Sequence, residues 1–250
     1  MHKLIILFML ILLIGCDNEN MHKEEMTVAA AADLYHAFTE IGEAFTEQTG
    51  IDVTFTFGST GNLSQQISQG APFDLFAAAH ESYVDDLIDK VVVAADTKAY
   101  YALGRIGFLT PRGQFTQITS ETLLDPSVQT IAIANPEHAP YGQAAKEAFM
   151  TMGIWEAIQE KLVFGDNIRQ THQFVETGNA DIGVVALALV IDSQLDFFLI
   201  DDDLHEPILQ ALAIPVHTNK MEQAQKFSDF VLGQEGREIL VQYGFELPGE

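Results

Sequence analysis

The strongest constraint on the fold is an alternation of two kinds of apolar segment, joined again and again by turns of glycine or other small residues. Thr27 to Ala32 is a short apolar run of small side chains. Leu34 to Thr49 then places apolar residues at 34, 38, 41 and 45, the spacing of a helix with one buried face, and Gly50 is its stop. Ile51 to Phe57 alternates apolar with polar residues, as a strand does. Asn62 to Ser68 predicts a second helix ended by Gly70-Ala71-Pro72, Phe73 to Ala79 a strand, and Glu81 to Asp89 a third helix. Such a βαβα rhythm predicts a parallel sheet covered by helices on both faces.

The rhythm breaks once and restarts. Tyr101 to Thr110 is a strand-like run long enough to leave one sheet and enter another. After it come a strand at Thr130 to Ala134, a helix at Gly142 to Met152 with stop Gly153, and a strand at Leu162 to Phe164. A helix at Ile168 to Glu176 with stop Gly178 and a strand at Asp181 to Ala186 complete the second series. Leu209 to Val216 is again extended, and Lys220 to Tyr243 is helical with interruptions at Gly233 and Gly236. The expected architecture is α/β and two-lobed, each lobe a mostly parallel sheet with flanking helices, joined by two crossing strands. Residues 26–103 and 215–250 would form lobe 1, and residues 104–214 lobe 2. Ligands of open α/β sheets bind beyond the carboxyl ends of the strands.

Composition narrows the partners. The 250 residues carry 12 Lys and Arg against 36 Asp and Glu, a formal charge of −24, which excludes nucleic acid because that binding needs cations along the phosphates. With 48% hydrophobic and 19% charged residues the chain supports a packed core and not disorder. Bulk acidity also argues against an anionic ligand, unless the binding site is built without side-chain cations.

The N-terminus reads as a targeting segment. Lys3 precedes an apolar run, Leu4 to Ile14, shorter than the roughly 20 residues needed to cross a bilayer, so residues 1–15 are expected to be an export signal. The only cysteine, Cys16, follows Leu13-Ile14-Gly15, which resembles the lipobox of bacterial lipoproteins, where the signal is cut before a lipidated Cys. One lipid would tether the protein to a membrane without spanning it and would consume the only thiol, leaving no disulfide. Residues 16–25 are expected to be a flexible tether.

Four strand-to-helix junctions carry the candidate chemistry. They are Ala29-Ala-Ala-Ala-Asp33-Leu34, Phe57-Gly-Ser-Thr-Gly-Asn62, Asn135-Pro-Glu-His-Ala-Pro-Tyr-Gly142 and Gly165-Asp-Asn-Ile168. Each helix N-terminus presents unpaired N–H groups and about half a positive charge from the helix dipole. Small residues and glycines at the same turns leave those groups unscreened. Two junctions from each lobe, facing across a cleft, would trap an anion without any Lys or Arg. Taken singly, each reads equally as an ordinary helix cap.

Together these strings resemble the substrate-binding proteins of molybdate ABC importers. Thr27-Val-Ala-Ala-Ala-Ala-Asp-Leu34, Phe57-Gly-Ser-Thr-Gly61, Gly70-Ala-Pro-Phe-Asp-Leu-Phe-Ala77, the 135–142 string and Gly178-Asn-Ala-Asp-Ile-Gly183 occur in the family's order with similar spacing, from about Thr27 to Phe245. The resemblance implies a periplasmic-binding-protein-like fold that captures a tetrahedral oxyanion, molybdate or tungstate, for an ABC permease and its ATPase. It implies a monomer outside the cytoplasm, in a periplasm or at the cell surface, held to the membrane by its lipid alone. It implies no enzyme activity and no cofactor. It places Ala32 and Asp33 at the first junction, Thr60 as an O–H and N–H donor at the second, and Tyr141 and Ile168 as backbone N–H donors at the third and fourth. The metal atom would be held through its oxygens, with no protein ligand on the metal itself.

Two positions depart from the family pattern. Asp33 stands where many members carry a ligand-binding Ser or Asn. Its carboxylate is expected to cap its own helix and turn away, so that the backbone N–H groups of Asp33 and Leu34 face the anion; the competing expectation is that it accepts a proton from a protonated oxyanion such as hydrogen phosphate. Ala186 stands where some members place a Tyr whose hydroxyl reaches the anion, a donor that Tyr141 would partly replace. Trp155 is expected in the core, His138 to orient its own turn, and Asp201 to Asp203 to form a solvated turn. Of the eight histidines, His36, His80, His138, His172, His205 and His217 lack the close pairing of a helical metal motif. The alternatives are the same fold binding phosphate, sulfate or a small organic anion and, from a different class, an exported hydrolase using Thr60 as nucleophile with Asp33 or His138 as base, although no third group orients a base in the sequence.

Overall fold

A computed structural model describes residues 24–191 and 193–249. The expected export signal, Cys16 and the expected tether up to residue 23 lie outside the described residues. From β1 (Glu25–Ala31) a 3₁₀ turn leads into α1 (Tyr35–Thr49), followed by β2 (Asp52–Gly58), α2 (Thr60–Ser68), β3 (Leu75–Ala78) and α3 (Glu81–Asp89). β4 (Ala99–Gly104) and β5 (Ile106–Thr110) come next with only Arg105 between them. The second series is α4 (Ser120–Leu124), β6 (Ile131–Ala134), α5 (Pro140–Thr151), β7 (Leu162–Gly165), α6 (Ile168–Glu176), β8 (Ile182–Ala186) and β9 (Asp196–Leu199). β10 (Ile208–Ala213), α7 (Met221–Leu232) and α8 (Gln234–Gln242) end the fold.

The strands form two five-stranded sheets, ordered β2-β1-β3-β10-β4 and β7-β6-β8-β5-β9. In the first, β1 runs parallel to β2 and β3, and β10 runs antiparallel to both β3 and β4. In the second, β6 runs parallel to β7 and β8, and β5 runs antiparallel to both β8 and β9. Each sheet is therefore co-directional except for one strand, and that strand is the one arriving from the other lobe. Geometry explains the reversal. β4 points its carboxyl end toward the cleft, as β1 to β3 do, so the chain that crosses must enter the second sheet from the cleft side and run back as β5. β10 repeats this in the other direction.

Several boundaries differ from the sequence reading. The run from Tyr101 to Thr110 does pass from one sheet into the other, but as two strands broken at Arg105. β10 pairs within the first sheet, so lobe 1 resumes at Ile208 and not at 215. Glu25, assigned to the tether, opens β1 and pairs with Asp52. β9 and α4 were not expected; both are short, and β9 is an edge strand whose Asp196-Phe-Phe-Leu199 does not alternate. Gly236 lies inside α8 and interrupts nothing: a Cβ there would sit 2.4 Å from the Phe230 carbonyl, so the glycine lets α8 start tightly against the end of α7.

Packing follows the predicted faces. Leu34, Phe38, Ile41 and Phe45 are all buried, and Phe38 and Phe45 meet Phe227 of α7 with ring centroids 5.9 and 5.2 Å apart. Those aromatic contacts fix the C-terminal helices to lobe 1. Trp155 packs half-buried against the lobe 2 core, with the Lys146 ammonium 5.6 Å from its ring centroid. Arg105, at the first crossing, pairs with Asp202 at 2.8 Å, beside the second crossing, and with Glu246 beyond α8. The acidic turn at 201–203 thus spends one carboxylate on the hinge.

The lobes touch through backbone. The N–H of Gly61 donates to the carbonyl of His138 at 2.8 Å, and a Cβ on Gly61 would lie 2.7 Å from that same oxygen. We expect Gly61→Ala to hold the lobes apart, measurable as a larger radius of gyration by small-angle scattering; an unchanged radius would show that the contact does not limit closure. Truncating Phe227 to Ala should cost about 3–5 kcal/mol, the range for a buried aromatic, in chemical denaturation. A loss below about 1 kcal/mol would mean that α7 is not anchored by this ring.

Candidate functional site

Because the crossing geometry turns the carboxyl ends of both sheets toward one cleft, the helices that follow those strands start there. Their first turns line one small cavity, with a volume of about 10 Å³. Ala31, Ala32 and Asp33 come from the first junction, Gly58, Ser59 and Thr60 from the second, Ala139, Pro140 and Tyr141 from the third, Asn167 and Ile168 from the fourth, with Ala79 after β3. All five residues singled out in the sequence, Ala32, Asp33, Thr60, Tyr141 and Ile168, line this cavity, and each is at most 3% exposed.

The helix starts are bare where they meet it. The 3₁₀ turn Ala32–Leu34, α2 and α5 begin after Ala31, Ser59 and Ala139 with no side-chain cap. At α6 the Asn167 side chain accepts from the N–H groups of Arg169 and Gln170, at 3.0 and 3.1 Å, and leaves that of Ile168. First-turn N–H groups have no acceptor inside their own helix, so those of Thr60, Tyr141 and Ile168 are available at the cavity wall. The Thr60 hydroxyl accepts from the N–H of Ala79 at 3.1 Å, which leaves its hydrogen to donate elsewhere. No Lys, Arg or His lines the cavity among the described residues. The small side chains of Ala31, Ala32, Ala79 and Ala139 keep backbone close to the enclosed space. Gly142 does the same for α5, since a Cβ there would sit 2.1 Å from the Ala134 carbonyl.

Cross-lobe contacts shut the rim. His138 Nδ1 lies 3.0 Å from the Ser59 hydroxyl, so His138 latches the second junction to the third as well as shaping its own turn. Asn62 donates to Asp166 at 3.1 Å, and the Arg169 guanidinium stacks 3.6 Å from the centre of the Tyr35 ring.

Asp33 behaves differently from expectation. It caps no helix N–H; its Oδ2 accepts from the Tyr141 hydroxyl at 3.0 Å and from Gln210 Nε2 at 2.7 Å. Gln210 Oε1 accepts in turn from the Tyr101 hydroxyl at 2.7 Å. Gly104 makes room for this network, because a Cβ there would lie 2.1 Å from the Tyr141 oxygen. Asp33 Oδ1 is buried and accepts no hydrogen bond among the described residues. Burial pushes the Asp33 carboxyl up to about 6, against the opposing pull of Gln210, Tyr141 and its own N–H, the last an attraction outside hydrogen-bond geometry. Burial first, and then the nearby Asp33 charge, also raise the Tyr101 and Tyr141 hydroxyls well above their ordinary value, so both act as neutral donors. Tyr141 therefore spends its hydroxyl on Asp33 and does not replace the donor missing at position 186; Ala186 is buried outside the cavity wall.

Gln210 and Tyr101 were not recognised from the sequence. The available signal for Gln210 was a single fully buried polar residue in the apolar run Ile208–Ala213, 177 positions from its partner Asp33.

Comparison with known proteins agrees with this architecture. The profile of the bacterial extracellular solute-binding proteins matches residues 26–246. The chain is 34% identical over 227 residues to the molybdate-binding protein ModA of Azotobacter vinelandii, covering 89% of this chain and 90% of that one. It is 30% identical over 244 residues to YvgL of Bacillus subtilis strain 168, described as a putative ABC transporter substrate-binding lipoprotein, covering 94% and 93%. The solved structure of the Azotobacter vinelandii periplasmic molybdate-binding protein superposes with a TM-score of 0.85 at 27% identity, over 89% of this chain and 99% of that one. By sequence profile, by similarity over nearly its whole described length and by fold, this chain belongs to the bacterial extracellular solute-binding proteins.

Proposed function

We propose that the chain is the substrate-binding lipoprotein of an ABC importer, and that it captures a tetrahedral oxyanion, molybdate or tungstate, in the inter-lobe cavity for delivery to the permease and its ATPase. The observation that carries this reading is convergence: four helix starts, from four separate sequence strings, meet around one small space walled by N–H donors, a free hydroxyl hydrogen and methyl groups. Amide N–H groups and helix ends suit an anion, and the curated relatives named for molybdate indicate which one. Capture makes and breaks no bond, so the chain acts as a monomeric binder without a resident cofactor and not as an enzyme. Only the closed arrangement supplies donors from both lobes, so closure and affinity are coupled. Cys16 carries the lipid that holds the protein outside the cytoplasm, and the polar residues after it give the lobes reach toward the permease.

The acidic composition does not oppose this reading. Among the described residues the acidic side chains other than Asp33 and Asp74 are at least partly exposed, and exposed charges are screened over about 10 Å at 0.1 M salt. Asp33 is different because it lines the cavity. Two unit charges 4 Å apart repel by about 4 kcal/mol at an effective dielectric of about 20, so an ionised Asp33 at that distance would oppose a dianion by about 8 kcal/mol.

Calorimetry of the mature domain against molybdate, tungstate, sulfate and phosphate tests the ligand. Molybdate and tungstate should bind tightly with little or no sulfate response, and a phosphate-only response would overturn the assignment. Thr60→Ala should weaken molybdate binding by about 1–3 kcal/mol, the range for a hydrogen bond to a charged group; unchanged affinity would place the ligand elsewhere. In a bacterial host, Cys16→Ser should move the protein from the membrane fraction to the soluble exported fraction, and retention on the membrane would exclude lipid anchoring at this residue.

A further inference from the structure

We propose that Asp33 binds the oxyanion as a neutral carboxylic acid, so that each anion captured brings one proton with it. The inference rests on the oxyanion reading of the cavity and adds the residue that sets its pH response and its choice among anions.

The geometry decides which oxygen carries the proton. Oδ2 already accepts two hydrogen bonds, from Tyr141 and Gln210, and both donors are fixed: Gln210 by Tyr101, and Tyr141 by its place in the first turn of α5. Oδ1 has no donor among the described residues, and Asp33 is 1% exposed at the cavity wall. An ionised carboxylate there leaves Oδ1 a buried, unmet acceptor on a residue that lines a cavity without a cation among the described residues. A protonated carboxyl keeps both bonds on Oδ2 and turns Oδ1 into an O–H donor. The proton comes from solvent, and no bond within the anion is broken. Burial prepares the step, since it already holds the carboxyl at about 6 before any anion arrives, and a dianion beside it raises it further.

Other titratable groups are separable from Asp33. Tyr141 of α5 and Tyr101 of β4 face it, and both stay protonated through the neutral range. Ser59 and Thr60 at the start of α2 are uncharged, and His138 does not line the cavity; its Nδ1 lies against the Ser59 hydroxyl. His36, Arg169 and His172 line a different, outer cleft that Asp33 does not border.

The sign follows from linkage. Above the free-state value of about 6 the carboxyl must first take up a proton, so the dissociation constant rises about tenfold per pH unit while the bound form remains protonated. Discrimination also follows: a neutral donor accepts fully ionised anions such as molybdate, tungstate or sulfate, whereas an ionised acceptor would select hydrogen phosphate.

Titration of molybdate into the wild-type domain at pH 7.5, in two buffers of different ionisation enthalpy, measures the proton directly. Uptake should be close to one per anion, and affinity should be on the order of 50- to 100-fold weaker at pH 8.5 than at pH 6.5. Asp33→Asn places a permanent N–H donor at the Oδ1 position. Its proton uptake should fall to about zero, and its affinity at pH 8.5 should exceed that of the wild type by tenfold or more. The wild-type measurement needs no variant to fold. Molybdate binding without proton uptake would overturn the proposal while leaving the oxyanion reading intact, as would uptake that persists in Asp33→Asn. Binding of phosphate alone, abolished by Asp33→Asn, would show that the carboxylate accepts a proton from the ligand, the opposite of the proposal. No binding of any of the four anions would remove the oxyanion reading itself.

Discussion

The structure depends on one directional constraint: in both sheets the strands that lead into the cavity's helices point their carboxyl ends at the same cleft. A helix that begins there must leave its first-turn N–H groups without internal acceptors. Four such starts therefore bring their unpaired donors to one place. The same constraint forces each crossing strand to run against its new sheet, which accounts for the reversed directions of β5 and β10. Fold and site follow from a single choice of strand direction, and the residues at the junctions have only to stay out of the way. Alanines and glycines do this at nearly every turn that borders the cavity.

Much of this was legible in the sequence because it is local. The apolar spacing of α1, the exact span of α3, the start of α6 and the glycine stops at Gly50, Gly153 and Gly178, all with positive φ, depend on neighbours within a few positions. The junction residues were legible for the same reason, and all five line the cavity. What could not be read is the network under it. Tyr101, Gln210, Tyr141 and Asp33 come from β4, β10, α5 and the first 3₁₀ turn, and nothing in the separate runs announces that they meet. Asp33 shows how a local rule misleads. An Asp at a helix start usually caps it, but here two long-range donors outcompete the nearby N–H groups for its oxygen. The boundary of lobe 1 failed for a related reason: only pairing with β3 and β4 reveals that Ile208 already belongs to the first sheet.

Charge acts at two scales in this molecule. Taken in bulk, −24 disfavours polyanions. At the cavity the relevant charges are partial ones on N–H groups, and the one formal charge available belongs to a carboxyl that burial biases toward neutrality. A site of this kind gains selectivity from geometry and from proton state, since amide donors fixed by helices cannot reorient to suit a ligand that needs acceptors. The glycines at 61, 104 and 142 serve the same end, each allowing a close approach that a single added carbon would block.

The central claim is spatial: the anion sits among the first turns of α2, α5 and α6. Anomalous diffraction from crystals of the mature domain grown with tungstate locates the heavy atom without assumption. The expected result is one tungsten peak inside the cavity, about 4 Å from the backbone nitrogens of Thr60, Tyr141 and Ile168, the distance set by an oxyanion oxygen in an ordinary hydrogen bond. A peak in the outer cleft near His172, or no peak inside the cavity in a domain that binds tungstate in solution, would contradict it.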